Sequence, residues 1–265
     1  MKECVLSAKA ILYIAKEAGA TRFFGLPNVY GDLDGGGIKR IDSEAQDELS
    51  KAGVIAMDFD GKSNIDEELK AAIKICSNVS HITGIDLKNK DKSISKLTVF
   101  LDRNDERYLM TTFGQPDGKY LFSKKSKDEI AEFIKDCIKV PEGGNGDDTI
   151  LETKLLYEPE SSKLAEAGCE EKKAELIAKA INGGVYAMTS RRLVNTVEDL
   201  SLIYIWNDSE VLRMKVSYED EKENMHFIPV TADDVYSALS DLMERPVYPE
   251  TEEDLSIASP EEDAE

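Results

Sequence analysis

Two stretches decide the fold: LTVFLDRNDERYLMTTF, Leu97–Phe113, and LSLIYIWNDSEVLRMKV, Leu200–Val216. Each is an apolar run, a charged turn holding Asn-Asp (Asn104-Asp105, Asn207-Asp208), and a second apolar run. Asn and Asp tolerate left-handed backbone and bond locally to the main chain, so both stretches are expected to be antiparallel hairpins. Aligned on their turns, Leu97 falls on Leu200, Val99 on Leu202, Phe100 on Ile203, Leu109 on Leu212 and Phe113 on Val216.

The correspondence continues downstream. KYLFSKK and NMHFIPV read as third strands with Phe122 and Phe227 aligned. SKDEIAEFIKDCI and TADDVYSALSDLM then align as helices without a gap. Ser126 and Thr231 are N-cap candidates, and Glu129 and Asp234 stand where a capping box needs its carboxylate, Asp being the weaker partner. Ile130, Phe133, Ile134, Cys137 and Ile138 in one copy, and Val235, Ala238, Leu239, Leu242 and Met243 in the other, draw one apolar stripe per helix. The expected fold is α+β: two quasi-twofold-related halves, each an antiparallel sheet of hairpin plus third strand packed against helices. Duplication would produce this order, and so would convergence on a common motif.

PEGGNGDD opens a Gly-rich linker at 141–150, dividing an N-terminal half, 1–140, from a C-terminal half, 151–245. MKECVLSAKAILYIAKEAGA reads as an amphipathic helix, because Lys9 and Lys16 interrupt the apolar run a signal peptide would need. Helices are expected at 43–53 and 65–78, joined by VIAMDFDGKSN, and at 161–184 as one long helix or two broken near Gly168. Residues 246–265, rich in Pro, Ser and carboxylates, read as a disordered acidic tail.

Thirty-three Lys and Arg face 53 Asp and Glu, a formal charge of -20. Such a balance speaks against nucleic acid or anionic lipid as a partner. The first 140 residues carry -1 and the remainder -19, so the acidity belongs to the second half. Cys4, Cys76, Cys137 and Cys169 lie far apart and read as free thiols in a reducing cytoplasm rather than a disulfide framework or zinc site. No stretch has the roughly 18–20 uninterrupted apolar residues of a membrane span.

Three chemical candidates fail on their own requirements. YGDLDGGG, Tyr30–Gly37, lacks the order and flanking elements of a phosphate loop and carries Asp32 and Asp34, so it reads as a surface loop. DFDGKSNIDEEL, from Asp58, begins like a calcium loop but has Ser63 and Leu69 where Gly and a bidentate Glu are required; Asn64 or Ser63 is the expected cap of the next helix. His81, read as a helix C-terminal cap, and His226, read within a strand, have no matching acid or nucleophile. Catalytic, cofactor-binding and metal-binding residues: none is assigned, and no cofactor is expected.

The order of features resembles the EspG family, cytosolic chaperones associated with type VII (ESX) secretion. The likeness runs over roughly residues 4–245 and is carried by ILYIAKEAGATRFFGLP, then DELSKAGVI, then IDEELKAAIKIC, then antiparallel strands with a closing helix, the scheme recurring in the second half. The chain is Lys- and Ile-rich, unlike the Ala-, Arg- and Gly-rich mycobacterial members, which points to a low-GC Gram-positive source and a different client. The resemblance implies a cytoplasmic, non-enzymatic chaperone or adaptor whose partner is a protein, a helical secreted substrate kept soluble until export. It also places partner contacts at a strand loop of the first half and a helical bundle of the second, here Gln115, Pro116 and Asp117, and the exposed face of the Leu164–Ile181 helix including Ile177. Two rivals stand beside it: an immunity protein that neutralises a basic toxin, which the acidic second half would suit, and a structural interaction module. An enzyme would need a deep pocket with converging carboxylates.

Overall fold

In a computed structural model of the chain, both hairpins form and belong to a single sheet. The structure describes residues 3–20, 23–57, 63–144, 146–182, 184–195, 197–219 and 222–246. In chain order come β1 (Cys4–Ser7), α1 (Ala8–Glu17), α2 (Gly35–Lys51), β2 (Ile55–Met57), β3 (Ser63–Ile65), α3 (Glu67–Cys76), β4 (His81–Lys88), β5 (Ile94–Leu101), β6 (Arg107–Thr111), β7 (Lys119–Lys125) and α4 (Lys127–Cys137). Then follow β8 (Thr149–Glu152), a 3-10 turn at Thr153–Leu156, α5 (Ser161–Glu166), α6 (Glu171–Asn182), β9 (Tyr186–Val194), β10 (Val197–Trp206), β11 (Val211–Glu219), β12 (Lys222–Pro229) and α7 (Ala232–Leu242).

The fold is α+β. Ten antiparallel strands lie in the order β1-β7-β6-β5-β4-β9-β10-β11-β12-β8, and β2-β3 is a separate small hairpin. Read from either end, the order has the same connectivity: an early strand at the edge, then four consecutive strands running inward. β4 and β9 meet at the centre over eight residue pairs, from His81↔Val194 to Lys88↔Ala187, so the stretches on either side of 141–150 share one sheet.

Three apolar clusters hold helices to the sheet. Alternation along each strand assigns side chains to faces. On one face α4 and α7 lie over the middle, where Ile130, Ile134, Val235 and Leu239 pack on Leu97, Val99, Leu109, Tyr204 and Trp206. On the other face α1, α2 and α3 cover Ile82, Phe100, Met110 and Phe122, and α5 and α6 cover Ile205, Leu212 and Phe227. Both expected capping boxes close: Ser126 with Glu129 on α4 and Thr231 with Asp234 on α7.

Several expectations are corrected. Each half contributes five strands to the sheet rather than three, because β4 and β9 supply the centre and β1 and β8 the edges. β1 precedes α1 where one helix was expected, and Ser7 accepts from Ala10 N to start the helix. α2 begins at Gly35, not 43: the Asp34 carboxylate accepts from Gly37 N at 2.7 Å, and Ile38, Ala45 and Leu49 recur on one side, so YGDLDGGG leads into a helix rather than remaining a loop. Asp66, neither Ser63 nor Asn64, caps α3, which spans 67–76. The helical stretch at 161–184 is two helices, broken at Gly168 with φ +95°. Residues 58–62 of the candidate calcium loop, and the acidic tail from residue 247 on, lie outside the described residues.

The turns resolve differently from their Asn-Asp spelling. Asp102 Oδ1 accepts from Asn104 N and Glu106 N at 2.8 and 2.9 Å. Asn207 Oδ1 accepts from Ser209 N and Glu210 N at the same distances, 2.8 and 2.9 Å. The residue equivalent to Asn207 is therefore Asp102, not Asn104. The closing pairs agree, Leu101↔Arg107 and Trp206↔Val211, so the alignment on Asn-Asp is displaced by two residues on β10. On β10 the even shift keeps each side chain on its face, but matching Arg107 to Val211 displaces β11 by one residue, so Leu109 and Leu212, aligned in the sequence, lie on opposite faces of the sheet.

Each charged tip is gripped from the opposite half. Arg245, beyond α7, donates to Asp105 at 2.9 Å and to the Asp102 carbonyl, while Lys90, between β4 and β5, reaches Asp208 at 2.6 Å. The Arg245–Asp105 pair is largely exposed, so Arg245→Ala should lose about 1 kcal/mol, counting the carbonyl bond, and part of that should vanish in high salt. A double-mutant cycle with Asp105→Ala in urea checks this; no coupling at low salt would contradict it.

Candidate partner-binding surface

The helices leave the middle of one sheet face uncovered. Between the α1–α3 layer and the α5–α6 layer, the register brings Gly84, Asp86 and Lys88 of β4 beside Arg191, Thr189 and Ala187 of β9. Asp86 and Arg191 pair across this strip at 2.9 Å, Arg191 is exposed, and Lys96 of β5 is exposed opposite Asp86. One wall is FFGLP, Phe23–Pro27, which lies on the sheet over Thr98 and Met110. Phe23 stands against Phe100 with ring centroids 5.3 Å apart, while Phe24 remains 39% exposed. Gly25 permits this approach: its φ is +82°, and a Cβ there would meet Thr98 Oγ1 at 2.8 Å. The resulting cleft, about 380 Å³, is lined by Phe24, Leu26, Pro27, Asp86, Lys96 and Arg191. An aromatic edge beside fixed, partly mutually neutralised charges suits contact with an amphipathic protein surface.

The residues singled out in the sequence fall in two places. Gln115, Pro116 and Asp117 form the β6–β7 turn, with Pro116 and Asp117 exposed and the Gln115 amide donating to Phe113 O at 3.3 Å. Leu164, on α5, and Ile177, on α6, are fully buried in the cluster over Ile205 and Phe227, so neither has an exposed face to offer. Their spacing drew them inward because α6 packs its apolar stripe on β10. Ile181 is 39% exposed. The strand order separates β6 and β7 from β10–β12 by β5, β4 and β9, so the two sets do not form one patch.

The histidines also depart from expectation. His81 opens β4 instead of capping a helix, its Nδ1 2.8 Å from Ser80 Oγ. Burial, then the nearby Arg245 and Arg192, holds its pKa below the ordinary value. His226 lies in β12 as expected, and its Nε2 is 2.6 Å from Ser217 Oγ on β11, a pairing the sequence reading missed. The two are diagonal neighbours on one face of a two-stranded hairpin, and among the described residues no carboxylate accepts a hydrogen bond from the ring. Cys76 and Cys169 are buried, Cys4 and Cys137 are half-buried, and burial pushes all four thiols up. No described helix is long and apolar enough to cross a membrane.

No protein-family model and no curated protein matches the chain. Its fold is similar to that of the Mycobacterium tuberculosis type VII secretion system chaperone EspG5, solved in complex with the PE25-PPE41 dimer. The TM-score is 0.59 at 9% sequence identity, over 94% of this chain and 99% of that one.

Proposed function

We propose that the chain is a non-enzymatic chaperone or adaptor, similar to EspG, that binds a helical type VII secretion substrate and keeps it soluble in the cytoplasm. The observation that carries this reading is a fold likeness that runs through nearly the whole of both proteins. The uncovered strip between the two helical layers supports it by offering a shallow, mixed surface with Phe24 at its edge. We also propose that the two halves descend from one unit, which the shared connectivity supports. Co-expression of the full chain with helical type VII substrates from its own genome should give a complex on gel filtration. Phe24→Asp is expected to weaken that complex by roughly tenfold. Absence of a complex with any such substrate would overturn the reading.

A second reading, immunity to a toxin, is favoured by the charge of the second half. It requires a basic partner and affinity that falls steeply with salt, and rescue of toxin-expressing cells separates it from the chaperone reading.

A further inference from the structure

The sheet face that carries α4 and α7 is filled in one half and bare in the other. The closing pairs Leu101↔Arg107 and Trp206↔Val211 make Leu109, Thr111 and Phe113 of the first hairpin the counterparts of Arg213, Lys215 and Ser217 of the second. The first three are buried, and α4 adds Phe133 to the cluster on this face where α7 adds only Ala238. Tyr204, the cross-strand partner of Arg213, belongs to the same cluster, so alternation puts Arg213, Lys215 and Ser217 on the α7 side. The ladders set Ile228 and His226 of β12 and Ile150 of β8 beside them. Of β11 only Val211 joins that cluster, and among the described residues nothing of β12 or β8 does.

The bare face is basic although it belongs to the acidic half of the chain. Lys215 is exposed, Ile150 is 52% exposed, and Arg213, His226 and Ile228 are half-buried. Lys222 pairs with Glu152 and Arg192 with Asp199, while among the described residues neither Arg213 nor Lys215 pairs with a carboxylate. Asp234 of α7 is committed to its cap, accepting from Thr231 N at 2.9 Å and from Thr231 Oγ1 at 2.7 Å. Two uncommitted cations beside Ile228 and Ile150 suit a cover that is acidic and partly apolar.

The chain carries such a segment, and it departs from this face. α7 ends over β4, where Thr83 Oγ1 donates to Leu242 O at 2.8 Å, and Thr83 is cross-strand from Val99 of the α4–α7 cluster. β11 lies three strands away, about 15 Å at ordinary spacing, and the 19 residues after Pro246 can reach at most roughly 65 Å. Those residues, 247–265, hold eight carboxylates and no Lys or Arg. We infer that EEDLSI, residues 252–257, docks on the bare face of the second half. In an extended segment Glu253, Leu255 and Ile257 share one side. They run about 13 Å, against about 10 Å from β11 to β8, so Glu253 meets Arg213 and Lys215 while Leu255 and Ile257 meet Ile228 and Ile150. Tethering supplies the effective concentration that exposed ion pairs alone would lack. This is the reverse of the face that holds the Phe24 strip, so the inference stands apart from the chaperone reading.

The test treats the full chain, at low micromolar concentration, with a carbodiimide, which joins a lysine to a carboxylate only where the two touch. An equal mixture of isotope-labelled and unlabelled chain separates coupling within one chain from coupling between copies. Mass spectrometry should find Lys215 joined to residues 250–254 of its own chain at least about tenfold more often than the exposed Lys139 and Lys179 are. Arg213→Ser, checked for unchanged melting, should lower that yield about threefold, the size of one exposed ion pair. Leu255→Ser combined with Ile257→Ser should lower it by at least about threefold while leaving every carboxylate in place. Should Arg213→Ser unfold, the second variant decides alone. Coupling spread evenly over exposed lysines, or insensitivity to the Leu255 and Ile257 changes, overturns the proposal, because charge alone would then draw the segment in. So does coupling of Lys215 only between copies, because a second chain would then own the face.

Discussion

Phe122→Ala and Phe227→Ala should each lower unfolding free energy by about 3–5 kcal/mol, the range for removing a fully buried aromatic ring. Both rings are 0% exposed, yet they sit in different clusters, Phe122 under α1–α3 and Phe227 under α5–α6. Phe122 also stacks on Tyr108 with centroids 6.4 Å apart, which should place its loss toward the upper end. Because the rings share no cluster, the double variant should lose the sum of the two single losses to within about 0.5 kcal/mol. Trp206 is the only tryptophan and is 1% exposed, so its emission follows unfolding in urea without a label. A loss below about 1 kcal/mol for either variant would mean that its cluster relaxes to fill the space, contrary to the packing described.

Gly143→Ala should have an effect nearly as large from a single added methyl. Gly143 has φ +66° and forms a bridge to Thr231, and a Cβ built on it would stand 2.3 Å from the Val230 carbonyl oxygen and 3.0 Å from Val211 Cγ2. The obstacle is backbone, so it cannot swing away. Left-handed backbone costs an alanine about 1–2 kcal/mol, and forcing atoms into packed space adds about 1–3, giving a loss of roughly 2–5 kcal/mol. Gly144, whose added Cβ would meet nothing within 4 Å, is the control: Gly144→Ala should change little. Thermal melts of the two variants decide the matter, and equal melting points would contradict the clash.

Much of the fold was legible because its elements are local. Hairpin turns, capping boxes and the apolar stripes of α4 and α7 depend on residues within a few positions of one another, and all of them form. The missing parts are those whose partners lie far along the chain. HITGIDLK has a strand alternation only at its end, Ile85-Asp86-Leu87-Lys88, and Gly84 breaks it. In β9 the strip side carries Thr189 and Arg191 because helices do not cover it there, so no apolar period announces the strand. The short edges β1 and β8 acquire their state from β7 and β12. The candidate surface was not read from the sequence: FFGLP was quoted only for the family resemblance, and Asp86 and Arg191, 105 positions apart, become neighbours only through the central ladder. Leu164 and Ile177 were misread as exposed because an apolar stripe does not say which neighbour covers it.

The central β4–β9 ladder also sets a timetable. During synthesis the first half can complete β1 and β4–β7 while the long open side of β4 waits for β9, about a hundred residues further along the chain. Until then the nascent protein carries a bare eight-residue template, alternating Ile85 and Leu87 with Asp86 and Lys88. The charges on that side are what the unfinished chain has to keep it from joining its neighbours on the same message.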